Sequence, residues 1–160
     1  MGFAEVYDYA AGKQDWMAMG LPIEGSAATL TRAGDVARKD VPTCGPKEHM
    51  GEVRERVRTG RLGCVRSRER EQVVLGLFPS RELERADALA SAEEAMRPGP
   101  STFRPSVAID EMARYMTEHD LSTAPITTSE GRLLGVLCQE DALRVAKESE
   151  QASPTTEPET

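Results

Sequence analysis

Residues 130–141 read EGRLLGVLCQED: a turn pair, an apolar run broken by Gly135, and a polar stretch ending on Asp141. Residues 71–82, EQVVLGLFPSRE, lie 59 positions earlier and repeat the pattern. Gly76 stands at that offset from Gly135, Leu75 from Leu134, Leu77 from Val136 and Glu82 from Asp141. Working outward, the pairs Thr43/Thr102, Pro46/Pro105, Val53/Met112, Val57/Met116 and Leu62/Leu121 keep the spacing without a gap. A period of this size denotes stacked supersecondary units that bury their apolar faces against one another.

The second copy shows its elements plainly. Residues 101–103 form a short extended piece ended by Pro105, and Ser106 is placed to cap a helix. Ile109, Met112, Ala113 and Met116 make the apolar stripe of that helix. Asp110 and Glu111 suit its positive end. Residues 121–127 and 132–138 read as strands around a turn at 129–131, and 139–147 as a last helix with Ala142, Leu143 and Ala146 inward. In the first copy Met50, Val53 and Val57 give the stripe and Gly60 closes the helix. Strands are expected at 62–65 and 73–78, and a helix over 80–89 capped by Ser80. The order predicts an α/β (α+β) fold: two β-α-β-β-α units packed sheet to sheet as a pseudo-twofold pair.

Composition narrows the function. With 160 residues, 39% apolar and only 4% aromatic, the chain has room for one compact domain or two small halves with an aliphatic core. No apolar run approaches the roughly 20 residues needed to cross a bilayer, and the start lacks the order of a signal peptide. Gly2 is followed by Tyr7 and Asp8, which argue against myristoylation. Cys44, Cys64 and Cys138 form neither an even set nor a close pair, which fits a reduced cytoplasm. His49 and His119 make no metal-ligand spacing with them, so no metal is expected. Ten of the 20 bases fall between Arg38 and Arg70. No aromatics interleave with them, so a solvated helix face is preferred to a nucleic-acid surface.

The two copies resemble the cystathionine-β-synthase (CBS) domain, which occurs as a tandem pair called a Bateman module. The resemblance covers roughly 33–148 and is carried by MRPG from Met96, Thr102, TAPI at 123–126, EGRLLGVL at 130–137 and Asp141. GVLCQED, 135–141, is similar to the family's Gly-apolar-apolar-Thr/Ser-x-x-Asp signature. The resemblance implies a non-catalytic regulatory role and a site for AMP, ATP or S-adenosylmethionine, with no resident cofactor. It assigns Asp141 to ribose, Thr102 to the cleft lining, and Pro125 and Ile126 to an apolar wall for adenine. Arg104 and Arg144 are candidate phosphate partners. The departures are equally specific. Cys138 replaces the hydroxyl residue, and a thiol is a weaker hydrogen-bonding partner. The first copy has Pro79 at that position and Glu82 in place of the aspartate, leaving Thr43 as its counterpart of Thr102. Without a ligand, Asp141 serves as a helix-dipole partner only. The alternative is then a ligand-free dimerisation module docking on a partner protein. A homodimer is expected in either case, with the Met112/Met116 face as its contact.

Two further stretches bear on function. CVRSRER, 64–70, has the C-x5-R shape of phosphate-handling loops, but the repeat puts Cys64 in a strand with no helix after it. Residues 6–24 resemble the last helix and exit of a rhodanese domain, through Gly12, Trp16 and Gly20-Leu21-Pro22. The cysteine loop of a rhodanese would lie upstream of Met1, so a remnant of a rhodanese–CBS fusion or a truncated start is expected there. The organisation reads as a rhodanese-like remnant (1–25), a linker (26–34), a divergent first unit (35–92), a second unit (93–148) and an acidic, disordered tail (149–160).

Overall fold

The computed structural model describes residues 12–19, 21–22, 30–58, 65–67, 73–78 and 80–152. Residues 149–152, expected in the disordered tail, instead end a helix that runs from Gln139 to Ala152; the rest of that tail, from 153, and the expected helix stop at Gly60 lie outside the described residues. So do Cys64 and the expected strand residues 62–64.

The second unit is built from helix α6 (Ile109–Glu118), strands β5 (Thr123–Thr127) and β6 (Leu133–Cys138), and helix α7 (Gln139–Ala152). The stripe read from the sequence is its core: Ile109, Met112, Ala113 and Met116 are buried against Ala124, Ile126, Leu137, Ala142 and Ala146. Met112 and Met116 are therefore interior residues, at 1% and 0% exposure, and cannot form an intermolecular face. The β5–β6 hairpin turns at Gly131, whose φ of +82° suits a residue without Cβ. The first unit follows with β1 (Thr43–Cys44), α3 (Met50–Arg58), β2 (Val65–Ser67), β3 (Val74–Leu77) and α4 (Ser80–Arg85). Helix α4 stops four residues short of the expected 89, and Ser80 is its first residue rather than a cap outside it.

What the sequence reading did not anticipate is an exchange of arms. Helix α2 (Ala33–Val36) precedes the first unit, yet Ala33 and Ala37 complete the core of the second. Helix α5 (Ala92–Ala95) precedes the second unit, yet Ala92 is buried with Met50, Val53 and Val57 of the first. The arms then pair with those same sheets, the first through a single bridge and the second as a short strand. Arg97 of β4 (Arg97–Pro98) pairs antiparallel with Leu77, and Arg38 pairs antiparallel with Val136. Both pairings, and both helices, are related by the 59-residue offset. Thr31 and Gly34, expected in a linker, thus bond to the second unit, through Thr31 O accepting from Ile109 N and Gly34 N donating to Pro105 O.

The exchange explains two sequence features. Ser106 does not cap α6; Ala108 does so without a side-chain bond, because the carbonyl of Thr31 takes the amide of Ile109 across the arm contact. The repeated glycines are crossing points. A Cβ on Gly135 would sit 2.7 Å from the Arg38 carbonyl oxygen, and one on Gly76 would sit 2.9 Å from that of Arg97. The halves meet at Val136, packed with Val41, Val74, Leu77 and Leu133. Val73 bridges Arg132, its own repeat counterpart, as a twofold axis running between them requires.

Candidate functional site

Asp141 lies in the first turn of α7, where free amides and the helix dipole favour a carboxylate. Its Oδ2 accepts two hydrogen bonds from Arg38, from Nε at 2.9 Å and Nη2 at 2.7 Å. Its Oδ1 faces Arg144 Nη2 at 3.4 Å. The Arg38 bond, reinforced by Arg144, holds the Asp141 carboxyl below the ordinary carboxylate range, although partial burial opposes this. Arg144 also reaches Glu148 at 3.4 Å and remains largely exposed. Cys138 stands one turn before Asp141, and burial pushes its thiol up despite the nearby Arg38. A neutral thiol is a weak donor and a poor replacement for the hydroxyl the signature favours.

The structure separates the remaining sequence candidates. Pro125 lines a cleft of about 410 Å³ between the halves, together with Leu77, Phe78, Arg97, Ser101, Phe103, Thr123 and Val136. Asp141 is not in its walls. Thr102 is exposed, and its neighbour Ser101 lines the cleft instead. Ile126 is fully buried in the second core and offers no wall to a ligand. Thr43 is in β1, paired with Val65, and its carbonyl accepts from Arg56 Nη1. Glu82 lies within α4. Asp141 and Arg144 thus share one neighbourhood with Arg38, and Cys138 lies close by, while Pro125 lines a cleft that Asp141 does not border.

Several arginines prove to be structural. Arg104 Nη1 donates to Thr127 Oγ1 at 2.9 Å and also to the Thr128 carbonyl, satisfying a buried corner of β5. Arg54 donates to the carbonyls of Leu83 and Ala86, and Arg56 pairs with Glu48 at 2.6 Å. Burial pushes the Glu48 carboxyl up, but the Gly45 amide and Arg56 bring it below its usual range. These contacts occupy Arg104, one of the two candidate phosphate partners, and two of the bases in the run from Arg38 to Arg70. Arg38 is the site residue that sequence reasoning missed. The signal was present, because Arg38 stands 59 positions before Arg97, and each pairs its arm with a sheet.

A second hollow of about 480 Å³ lies where Met17, Met19, Leu21 and Pro22 approach Pro105, Leu133 and Leu134. Met17 is in helix α1 (Gly12–Ala18), and the Trp16 indole donates to the Pro22 carbonyl at 2.7 Å. Among the described residues, no group of three or more His, Cys, Asp or Glu could hold a metal, and no helix is long and apolar enough to cross a membrane.

The fold is that of a CBS pair, mixed α/β with small sheets packed about a pseudo-twofold axis. Residues 92–148 match the CBS domain itself. The magnesium transporter MgtE of Thermus thermophilus is 33% identical over 70 residues, covering 44% of this chain and 16% of the transporter. The crystal structure of the cytosolic domain of the Mg2+ channel MgtE in complex with ATP superposes with TM-score 0.66 at 23% identity, over 75% of this chain and 51% of that one. CBSX2 in complex with AMP superposes with TM-score 0.65 at 17% identity, over 74% of this chain and 98% of that one. The chain therefore spans a small part of the transporter and about half of its solved cytosolic domain.

Proposed function

We propose that this chain is a non-catalytic regulatory module that binds an adenine nucleotide or adenosyl ligand between its two CBS units. The observation that carries the reading is the cleft of about 410 Å³, whose walls come from both halves. Its volume falls in the usual range of about 300–1,000 Å³ for small-molecule sites. Leu77, Phe103, Pro125 and Val136 offer an apolar bed for a base, while Ser101 and Thr123 offer hydroxyls for a sugar. Solved CBS pairs that carry ATP and AMP make the ligand class a natural first choice. Asp141, which does not line this cleft, is a second candidate ribose acceptor. Because the ligand would touch both halves, it can bias the angle between them, or between two copies in a homodimer, and so regulate a partner protein. The cytoplasm, where nucleotides are plentiful and unpaired cysteines persist, is the proposed location.

Calorimetric titration with AMP, ATP and S-adenosylmethionine tests this, beside Ser101→Trp to fill the cleft and Asp141→Ala to remove the second acceptor. Heat with at least one ligand, lost on Ser101→Trp, is expected. The ligand-free docking reading is favoured by one observation, the use of both Asp141 oxygens by arginines. Absence of heat with all three ligands would establish it over the regulatory one.

A further inference from the structure

The geometry points to Arg38 as a built-in competitor for Asp141, holding the carboxylate that a ribose would use, so that this half of the pair accepts a nucleoside only when Arg38 swings away. The inference rests on the nucleotide reading above and concerns the regulation of its second site. Arg38 Nε and Nη2 both donate to Oδ2, and Arg144 faces Oδ1, so each oxygen that two ribose hydroxyls would seek already has a donor.

The competitor is anchored at its backbone, while its tip is half-exposed and held by Asp141. Arg38 N donates to the Val136 carbonyl and Val136 N to the Arg38 carbonyl, each at 2.9 Å, which fixes the Cα over β6. The close approach at Gly135 makes the same crossing tight. The side chain, in contrast, is 40% exposed and Asp141 19%. A long side chain on a fixed backbone, with water on one side, can leave by rotamer change without disturbing the sheet. The Asp141 contact also ties the arm, from 103 residues away in sequence, to the helix that closes the second unit. A ligand that displaces Arg38 therefore removes one tie between the arm and α7.

Adenosine is the probe that isolates this effect, because it carries no phosphate for a released guanidinium to meet. Adenosine and AMP are titrated into the wild-type chain, Arg38→Ala, Arg38→Gln and the double variant Arg38→Ala/Asp141→Ala. Both single variants are expected to bind adenosine roughly 3- to 5-fold more tightly, the scale of a partly exposed ion pair. The gain is expected to vanish in the double variant. Adenosine binding that is unchanged, or weaker, in both Arg38 variants overturns the competitor role and leaves the nucleotide reading standing. AMP binding that weakens while adenosine does not change makes Arg38 a phosphate ligand, and overturns it as well. No binding of either compound to any of the four chains overturns the nucleotide reading itself, and the inference falls with it.

Discussion

Arg38 and Asp141, 103 residues apart, meet through two hydrogen bonds of 2.9 and 2.7 Å onto a single carboxylate oxygen. Their elements do not belong to the same repeat. Arg38 sits in the arm that opens the first copy, and Asp141 in the helix that ends the second. The pair thus reports on whether the arm is seated, and it does so at the residue proposed as a ribose acceptor.

The first prediction follows from that contact. Because the Arg38 hydrogen bond holds the Asp141 carboxyl low in the folded chain, its folded pKa lies below the unfolded value. The corresponding stability is fully present above the ordinary aspartate pKa of about 3.9 and is lost as pH falls through the folded value. Carboxyl chemical shifts followed by NMR should place Asp141 below the ordinary aspartate pKa of about 3.9. Arg38→Ala should move it upward, and an unmoved Asp141 would show that the pair does not persist in solution.

The second prediction concerns the signature glycine. A Cβ at Gly135 would lie 2.7 Å from the Arg38 backbone oxygen and 3.2 Å from the Ala37 Cβ. Backbone cannot yield as a flexible side chain does, so Gly135→Ala should cost about 1–3 kcal/mol, the scale of overpacking. For a chain of this size a melting point lower by on the order of 5 °C is expected. Gly76→Ala should cost less, since its nearest obstacle is the flexible Met96 side chain, although the Arg97 carbonyl at 2.9 Å also opposes it. Differential scanning fluorimetry ranks the two, and a neutral Gly135→Ala would deny the close crossing.

How far the sequence carried the fold can be read from these same residues. The offset pairing Gly76 with Gly135 and Val57 with Met116 gave the units, the order of strands and helices, and the buried stripe of α6, because local periodicity encodes them. The arms were not legible. Ala33 and Ala92 look like linker or boundary residues in one dimension, and which core each fills is a property of the twofold axis. Asp141 and Pro125, assigned to one ligand by the resemblance, are likewise not brought together in one cleft, since Asp141 does not line the cleft that Pro125 borders. Met112 and Met116 could be read as helix-face residues from spacing alone, but spacing does not say whether the face meets its own sheet or a second copy.

The third prediction tests the exchange directly. If Ala33 and Ala37 complete the second core, deleting residues 1–40 should damage the half most distant from the cut in sequence. The deletion removes two buried side chains, at 0% and 8% exposure, from the cluster of Met112, Met116, Ile126 and Leu137. It also removes the strand partner of Val136, leaving buried amide and carbonyl groups of β6 without their bonds. The first unit keeps α5 and β4, which complete its own core and sheet. Amide exchange by NMR or mass spectrometry should therefore show protection lost across β5, β6 and α7 and largely retained in α3. Deletion of residues 1–22 leaves both arms in place and should preserve protection in both units. Loss confined to the first unit in the longer deletion would reverse the assignment of the arms.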